Sequence, residues 1–314
     1  MLEFILLLQQ RYRLVCSQSG SQIAAGQMQT RLDQLLLAEA FIRKGQLLAA
    51  EPGLPLQIAV IGPTQAGKSS LVNVLLNSQC AGVSPLAGYT VHPQGFCHGL
   101  TTTDCRSLQR YFGRFQQLTT AQLTRNRFDA YSLTENATHS PVLPPCVLWD
   151  SPDFDSIDAA NYREGVLRTI ALADIIILVV SKEKYSDQLV WDAMAALESL
   201  HQPTLICLNK LAEGSEAVLI RSLQEKWQQT RSDTLPDIVP LYYQKQTGLL
   251  GLPEQGQQLL QSITKTTARN KHSRFEQELL QKHWAGWLEP VFAEHQALQH
   301  WQDMIEQTLE QALA

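Results

Sequence analysis

The stretch Ile58–Ser70 reads IAVIGPTQAGKSS, and its segment from Gly62 to Ser69 matches the pattern G-x-x-x-x-G-K-[ST]. An apolar run precedes the first glycine, and an amphipathic helical pattern follows the last serine. A strand that ends in such a glycine-rich turn and opens a helix is the setting in which this pattern binds phosphate. The stretch therefore predicts a P-loop in an α/β fold.

Each part of the predicted P-loop has a chemical task. Gly62 and Gly67 let the backbone turn tightly, so that successive N–H groups point at phosphate oxygens. Lys68 is expected to reach the β- and γ-phosphates, and the helix N-terminus adds its dipole. Ser69 offers a hydroxyl oxygen to Mg²⁺, which prefers oxygen ligands. The predicted phosphate-binding set is Gly62, Pro63, Thr64, Gln65, Ala66, Gly67, Lys68, Ser69 and Ser70.

Two further residues are candidates for the same metal ion. Asp150 ends the apolar strand Cys146–Asp150, where a carboxylate can hold a metal-bound water. Thr90 precedes the predicted strand Val91–His98, and its hydroxyl could complete the Mg²⁺ shell once a γ-phosphate is present. An ordinary loop threonine is the alternative interpretation of Thr90. The predicted metal ligands are Ser69, Thr90 and Asp150, and the predicted catalytic residues are Lys68 and Thr90.

Short β-branched runs alternate with helical patterns between residues 56 and 268. Such alternation predicts βαβ units, and hence a P-loop NTPase three-layer α/β sandwich with a mainly parallel sheet. The predicted strands are Gln57–Ile61, Val147–Asp150, Ile175–Val180, Leu205–Leu208 and Ile238–Tyr242. The predicted helices are 68–77, 159–172, 187–200, 215–229 and 254–264.

Helical patterns flank this central region on both sides. The spacing predicts one or two amphipathic helices before residue 51, and a Trp-rich helical stripe from Ser273 onward with a kink at Pro290. The simplest architecture packs the two ends together as a small helical bundle, although the stripe could also face a partner or a membrane surface. The chain therefore divides into N-terminal helices (1–52), a P-loop domain (53–268) with an insertion at about 99–145, and C-terminal helices (269–314).

Composition argues against several classes of protein. Apolar residues make up 44% and charged residues 18%, which is ordinary for a folded chain. A net charge of −5 gives no electrostatic reason to expect nucleic-acid binding. The six cysteines include no C-x-x-C pair, which favours reduced thiols over a zinc site. No stretch approaches the roughly 20 apolar residues of a membrane span, so we expect a cytoplasmic protein.

The ordered motifs resemble those of the translation-factor-related GTPases, in particular the Era-like and dynamin-like members. The resemblance rests on Gly62–Ser69, Thr90, Asp150–Asp153 and Leu208–Lys210. It covers about residues 57–250 and implies a G domain that binds GTP and GDP with Mg²⁺. It also implies that Asn209, Lys210 and a loop containing Gln244 contact the base.

The sequence departs from this family's pattern at three places. The motif D-x-x-G reads DSPD at Asp150–Asp153, Phe154 stands where a water-orienting glutamine often lies, and Ala212 replaces the aspartate of N-K-x-D. Phe154 cannot orient water, and Ala212 cannot accept hydrogen bonds from guanine, although Glu213 lies beside it. We therefore expect a switch that hydrolyses GTP slowly and acts on a protein partner, or through self-association, by way of its flanking helices. Two alternatives stay open: a degenerate scaffold module, and a P-loop enzyme with relaxed base choice.

Overall fold

The computed structural model describes residues 1–18, 22–83, 90–140, 142–154, 159–185, 187–199, 202–211, 214–230, 235–242 and 272–313. The chain divides into two compact units. One unit comprises Met1–Glu39 and Arg274–Ala314, and the other comprises Ala40–Ser273. The second unit contains the sheet and the P-loop. The domain boundaries given above remain a prediction.

The predicted strands and helices that fall within the described residues occur in the predicted order, and the structure adds a short helix and two strands between residues 99 and 145. The strands are β1 (Leu56–Ile61), β2 (Gln94–His98), β3 (Gln116–Gln117), β4 (Ala130–Asn136), β5 (Cys146–Asp150), β6 (Ile175–Ser181), β7 (Thr204–Leu211) and β8 (Ile238–Tyr242). The helices are α1 (Leu2–Gln18), α2 (Gln22–Ala50), α3 (Lys68–Leu76), α4 (Leu108–Phe112), α5 (Ala159–Leu172), α6 (Gln188–Ser199), α7 (Glu216–Thr230) and α8 (His272–Leu313). The four predicted helices between 68 and 230 are confirmed to within one residue, and the predicted helix 254–264 lies outside the described residues.

The eight strands form one sheet in the order β3-β4-β2-β5-β1-β6-β7-β8. Strands β5, β1, β6, β7 and β8 pair in parallel. Strand β2 pairs antiparallel with β5 and parallel with β4, so β3, β4 and β2 run against the other five. The predicted α/β class, with a mainly parallel sheet and flanking helices, is confirmed.

The stretch between residues 99 and 145, which was expected to be an insertion, extends the sheet. It contains α4, β3 and β4, each too short or too irregular to give a clear period. Aromatic packing fixes the stretch on the parallel strands: Phe112 stacks on Tyr131 with ring centroids 4.0 Å apart, and Phe112 also lies 5.3 Å from the ring of Trp149 on β5. Aromatic burial of this kind is a large apolar contribution to stability.

The centre of the sheet is buried on both faces, which explains the near-continuous apolar runs of β1 and β6. Helix α3 buries Leu71 and Leu75 in the same core cluster as Ile58 of β1 and Val179 of β6. Because α3 begins at the carboxyl end of β1, this packing fixes the turn between them. The predicted P-loop is that turn.

In the other unit, α8 packs on α1 and α2 through the first half of its Trp-rich stripe. Trp287 is fully buried, accepts a hydrogen bond at its carbonyl from the Tyr12 hydroxyl (2.9 Å), and donates through its indole N–H to Gln34 (3.2 Å). The rings of Phe4 and Trp284 lie 5.4 Å apart. This part of the stripe is therefore a packing face between helices.

The second half of the stripe is exposed. Helix α8 contains Pro290 within its length, and every residue from Phe292 to Leu313 is exposed. The exposed apolar residues at helical spacing are Leu298, Trp301, Ile305 and Leu309, which we call the α8 face. None of the helices in the described ranges is long and apolar enough to cross a membrane.

A buried ion pair joins α2 to the start of β6. Lys44 Nζ lies 3.0 Å from Asp174 Oδ1 and donates to the carbonyl of Ala173 at 2.8 Å. The other carboxylate oxygen of Asp174 accepts a hydrogen bond from the backbone N–H of Gln57, at 2.9 Å. Both side chains are nearly inaccessible to solvent. Removing one partner of such a pair leaves an uncompensated buried charge.

We expect Lys44→Met to lower the free energy of unfolding by about 3–5 kcal/mol, because Asp174 then keeps a buried charge without its cation. Combining Lys44→Met with Asp174→Asn should recover part of the loss, since the buried charge is gone and the amide oxygen can still accept from Gln57. Urea unfolding measures both effects. The control is Lys182→Met at an exposed lysine. A loss in Lys44→Met no larger than the control's would contradict this account.

Candidate functional site

The P-loop requires glycine at two positions because neighbouring strands approach its backbone closely. A Cβ atom on Gly62 would collide with the carbonyl oxygen of Val179 on β6. Gly67 has a φ of 99°, in the left-handed region, and a Cβ there would collide with the side-chain amide of Asn209 on β7. The turn is also closed by a hydrogen bond from Ala66 N to the carbonyl of Pro63, at 3.2 Å.

The remaining predicted phosphate-binding residues lie in or directly after this turn. Thr64 and Ala66 are buried, Gln65 is exposed with a φ of 60°, and Ser70 is half-buried at the start of α3. The first turn of α3 is anchored by a hydrogen bond from Leu71 N to the carbonyl of Gly67, at 2.9 Å. A helix N-terminus that follows a glycine-rich turn is a ready site for an anion.

Lys68 lies inside the loop, and its ammonium group is surrounded by oxygens. Lys68 Nζ donates to the carbonyls of Gly62 and Pro63, at 3.1 Å each, and forms an ion pair with Asp153. The side chains of Lys68 and Asp153 are both largely buried. Asp153 belongs to the segment directly after β5, so the ion pair joins the P-loop to that segment.

Ser69 and Asp150 meet at the same edge of the sheet. Ser69 donates a hydrogen bond from its hydroxyl to Asp150 Oδ2 at 2.6 Å. Burial raises the pKa of Asp150 to about 6, while the Ser69 hydrogen bond and the charge of Lys68 lower that pKa and the charge of Asp153 raises it. Asp150 Oδ1 is buried and has no hydrogen-bond partner within the described part of the chain. A hydroxyl beside a carboxylate with an unsatisfied oxygen fits the preference of Mg²⁺ for oxygen ligands and bound water.

Asn209 contacts the P-loop directly. Its side-chain amide donates to the carbonyl of Ala66 at 2.9 Å, and its amide oxygen accepts from the backbone N–H of Lys210 at 2.8 Å. Lys210 follows with a φ of 59° and is half-buried. Among the other residues discussed for base recognition, Gln244, Ala212 and Glu213 lie outside the described residues.

Thr90 and Phe154 lie beside an apolar cluster. Thr90 is buried but makes no hydrogen bond to Ser69 or Asp150 in the part of the chain that the structure describes. The adjacent Val91 belongs to a buried cluster with Tyr162 and Val166 of α5, and Phe154 packs against that cluster. The structure therefore brings Lys68, Ser69, Asp150 and Asp153 together, and leaves the metal role of Thr90 a prediction.

Two contacts of this site could not be predicted from the sequence. The ion pair of Asp153 with Lys68 has a weak signal, an acid three residues after Asp150 in place of the glycine of D-x-x-G. The hydrogen bond from Asn209 to Ala66 joins residues 143 positions apart, so no local sequence pattern indicates it.

These features define the class of protein. A P-loop whose serine meets the acid ending a neighbouring parallel strand is the phosphate and metal site of P-loop nucleotide-binding domains. Residues 57–210, which include the P-loop, Asp150 and Asn209–Lys210, match the family model of the 50S ribosome-binding GTPases. The chain therefore contains a domain of the P-loop GTPase family.

Several solved structures are similar to this chain at low identity. A variant of Era from Aquifex aeolicus bound to GDP and AlF4⁻ has a TM-score of 0.41 and 18% identity over 67% of this chain and 56% of that chain. A member of an oligomerised bacterial dynamin pair has a TM-score of 0.43 and 14% identity over 97% and 58% of the two chains. Toc33 from Arabidopsis thaliana with Mg²⁺ and GMPPNP has a TM-score of 0.41 and 15% identity over 75% and 93%.

The chain spans just over half the length of the first two of these structures: 56% of the Era variant and 58% of the bacterial dynamin. No curated protein sequence matches the chain significantly.

Asn209→Ala should loosen the P-loop, because the carbonyl of Ala66 loses its side-chain donor. We expect faster hydrogen exchange at the backbone amides of residues 64–67 and unchanged exchange in β6, as measured by mass spectrometry on the nucleotide-free protein. Asn136→Ala, which removes an amide that bonds to the carbonyl of Leu76, is the matched control and should leave the P-loop amides unchanged. Equal exchange in wild type and Asn209→Ala would show that the loop does not depend on this bond.

Proposed function

We propose that this protein binds GTP and GDP with Mg²⁺, hydrolyses GTP slowly, and uses the difference between the two states as a conformational switch. The observation that carries the proposal is the convergence of Lys68, Ser69 and Asp150 where β1 ends and α3 begins. The family match over residues 57–210 supports guanine as the base. We therefore infer GTP binding from the family match and from the contacts of Lys68, Ser69 and Asp150.

The roles of the residues follow from their chemistry. Backbone N–H groups of Gly62–Ser70 would hold the phosphates, and Lys68 would stabilise charge on the transferred phosphoryl group. Ser69 and Asp150 would hold Mg²⁺, with Thr90 joining them when the segment before β2 closes on a triphosphate. When bound, Mg²⁺ neutralises negative charge on the phosphate oxygens. Asn209, Lys210 and Gln244 are the proposed base contacts.

Slow hydrolysis is proposed because of Phe154. Its side chain packs against the apolar cluster of Val91, Tyr162 and Val166, and an aromatic ring has no group that could orient water. Efficient turnover would then need a water-positioning group from a partner or a second copy. A catalytically degenerate nucleotide-binding scaffold is the second candidate function. It is favoured by the same ring and by the ion pair that engages Lys68.

The nucleotide proposal predicts guanine-selective binding that depends on Lys68. Isothermal titration calorimetry of GTP, GDP, ATP and ADP with Mg²⁺ should show binding of the guanine nucleotides and a loss of their affinity in Lys68→Ala that is larger for GTP than for GDP, because the variant lacks the charge that meets the phosphates. Lys182→Ala at an exposed site is the control and should bind as wild type. Equal binding of adenine nucleotides would instead indicate relaxed base choice, and no binding at all would leave only a nucleotide-free scaffold.

For the partner, we propose that two copies associate through the α8 face. Trp301 is 63% exposed and Leu298 57%, a large apolar area for a helix to leave in water. The charged residues on this half of α8 are Glu294, Asp303, Glu306 and Glu310, and no Lys or Arg follows Lys282 in the sequence. That charge disfavours an anionic membrane surface and leaves a protein surface as the better match.

Self-association should appear as a mass that rises with protein concentration in size-exclusion chromatography with light scattering. Trp301→Glu places a charge in the α8 face and should keep the protein monomeric at all concentrations. Gln307→Glu adds the same charge on the opposite side of the helix and should behave as wild type. A wild-type protein that stays monomeric at every concentration would contradict self-association and would require a different protein partner.

A further inference from the structure

Every hydrogen-bond donor of the Lys68 ammonium is already engaged. An ammonium group has three N–H donors, and Lys68 faces three oxygen acceptors: the carbonyls of Gly62 and Pro63, and the carboxylate of Asp153. A phosphate oxygen can therefore reach this lysine only by displacing one of them. The two carbonyls belong to the P-loop turn itself, whereas Asp153 approaches from the segment after β5. Asp153 is the acceptor that can leave without unfolding the loop.

The displaced group carries the same charge as the ligand. Asp153 is a carboxylate in a largely buried position, and Asp150 lies at the same edge of the sheet. A phosphate held by the backbone N–H groups of the P-loop gains contacts that do not involve Asp153. The β-phosphate has these backbone contacts in addition to Lys68, whereas a γ-phosphate beyond it depends more on Lys68 and meets the carboxylate of Asp153 there. Like charges in a poorly solvated site disfavour each other strongly.

We infer that Asp153 is an internal anion that occupies the place of the terminal phosphate at Lys68, and so makes the site favour the guanosine diphosphate over the triphosphate. The inference rests on the proposed function and adds a specificity-determining residue to it. The triphosphate binds fully only when Asp153 is withdrawn from the lysine.

The withdrawal of Asp153 is tied to the residues on either side of it. The backbone N–H of Ser151 is held by the carbonyl of Val60, at 3.2 Å, so the beginning of the segment is fixed to β1. Phe154 packs against the apolar cluster that contains Tyr162. Because Phe154 directly follows Asp153, a movement of Asp153 also changes how Phe154 packs against that cluster. Binding of the third phosphate is in this way converted into a change in the packing around α5.

The test compares the affinities of GDP and the non-hydrolysable analogue GMPPNP, with Mg²⁺, for wild type and two variants. Asp153→Asn keeps the size of the side chain and an oxygen that can accept from Lys68 but removes the charge, and Asp153→Gly removes the side chain. We expect both variants to raise the affinity for GMPPNP by about tenfold or more while changing that for GDP by less than about threefold. Asp192→Asn, on an exposed position of α6, is the control and should leave both affinities unchanged.

The outcomes separate this inference from the proposed function. An unchanged ratio of the two affinities in both variants, or an equal gain for both nucleotides, overturns the role of Asp153 while guanine binding stands. Failure of wild type and both variants to bind either guanine nucleotide overturns the proposed function, and the inference with it. Circular dichroism and thermal unfolding establish whether each variant is folded, and either folded variant is sufficient for the comparison.

Discussion

The register of the parallel strands is the constraint on which the site depends. Val60 of β1 pairs with Asp150 of β5, and Ser181 of β6 pairs with Asn209 of β7. The carboxylate of Asp150 and the amide of Asn209 therefore lie at the edge of the sheet where β1 ends and the P-loop begins. A slip of one residue would point these side chains to the other face of the sheet. Burial of β1 and β6 on both faces favours this register, because a slip would disrupt the close packing of their apolar side chains in the core. The core thereby sets the positions of the polar groups.

Among the described residues at this edge of the sheet, one buried lysine, Lys68, lies with two buried acids, Asp150 and Asp153. Lys68 compensates Asp153 directly, while Ser69 supplies the hydrogen bond that Asp150 accepts. Asp150 keeps an unsatisfied oxygen. A divalent cation would supply positive charge where the protein has placed too little. A metal–nucleotide complex would bring such a cation to the site together with an anion, in agreement with the proposed function.

The residues of the site that belong to one continuous motif could be predicted from the sequence. The contacts between residues far apart in the sequence could not. Gly62, Lys68 and Ser69 follow from one continuous pattern, and Asp150 from an apolar strand ending in an acid. The strand order could not be derived in the same way, because the elements between 99 and 145 are short and are held by aromatic contacts. The bond of Asn209 to Ala66 and the ion pair of Asp153 join residues 143 and 85 positions apart, and such contacts arise only from the three-dimensional fold.

The apolar cluster beside the site has a consequence for cooperativity. Val91 adjoins Thr90 on one segment and Phe154 adjoins Asp153 on another, and both apolar side chains meet on α5. Removing either segment from the cluster would expose apolar surface that the cluster now buries, which disfavours movement of one segment alone. In the proposed switch, the two segments would therefore move together. Such a protein would report the identity of its ligand in an all-or-none manner, and graded intermediates would be rare.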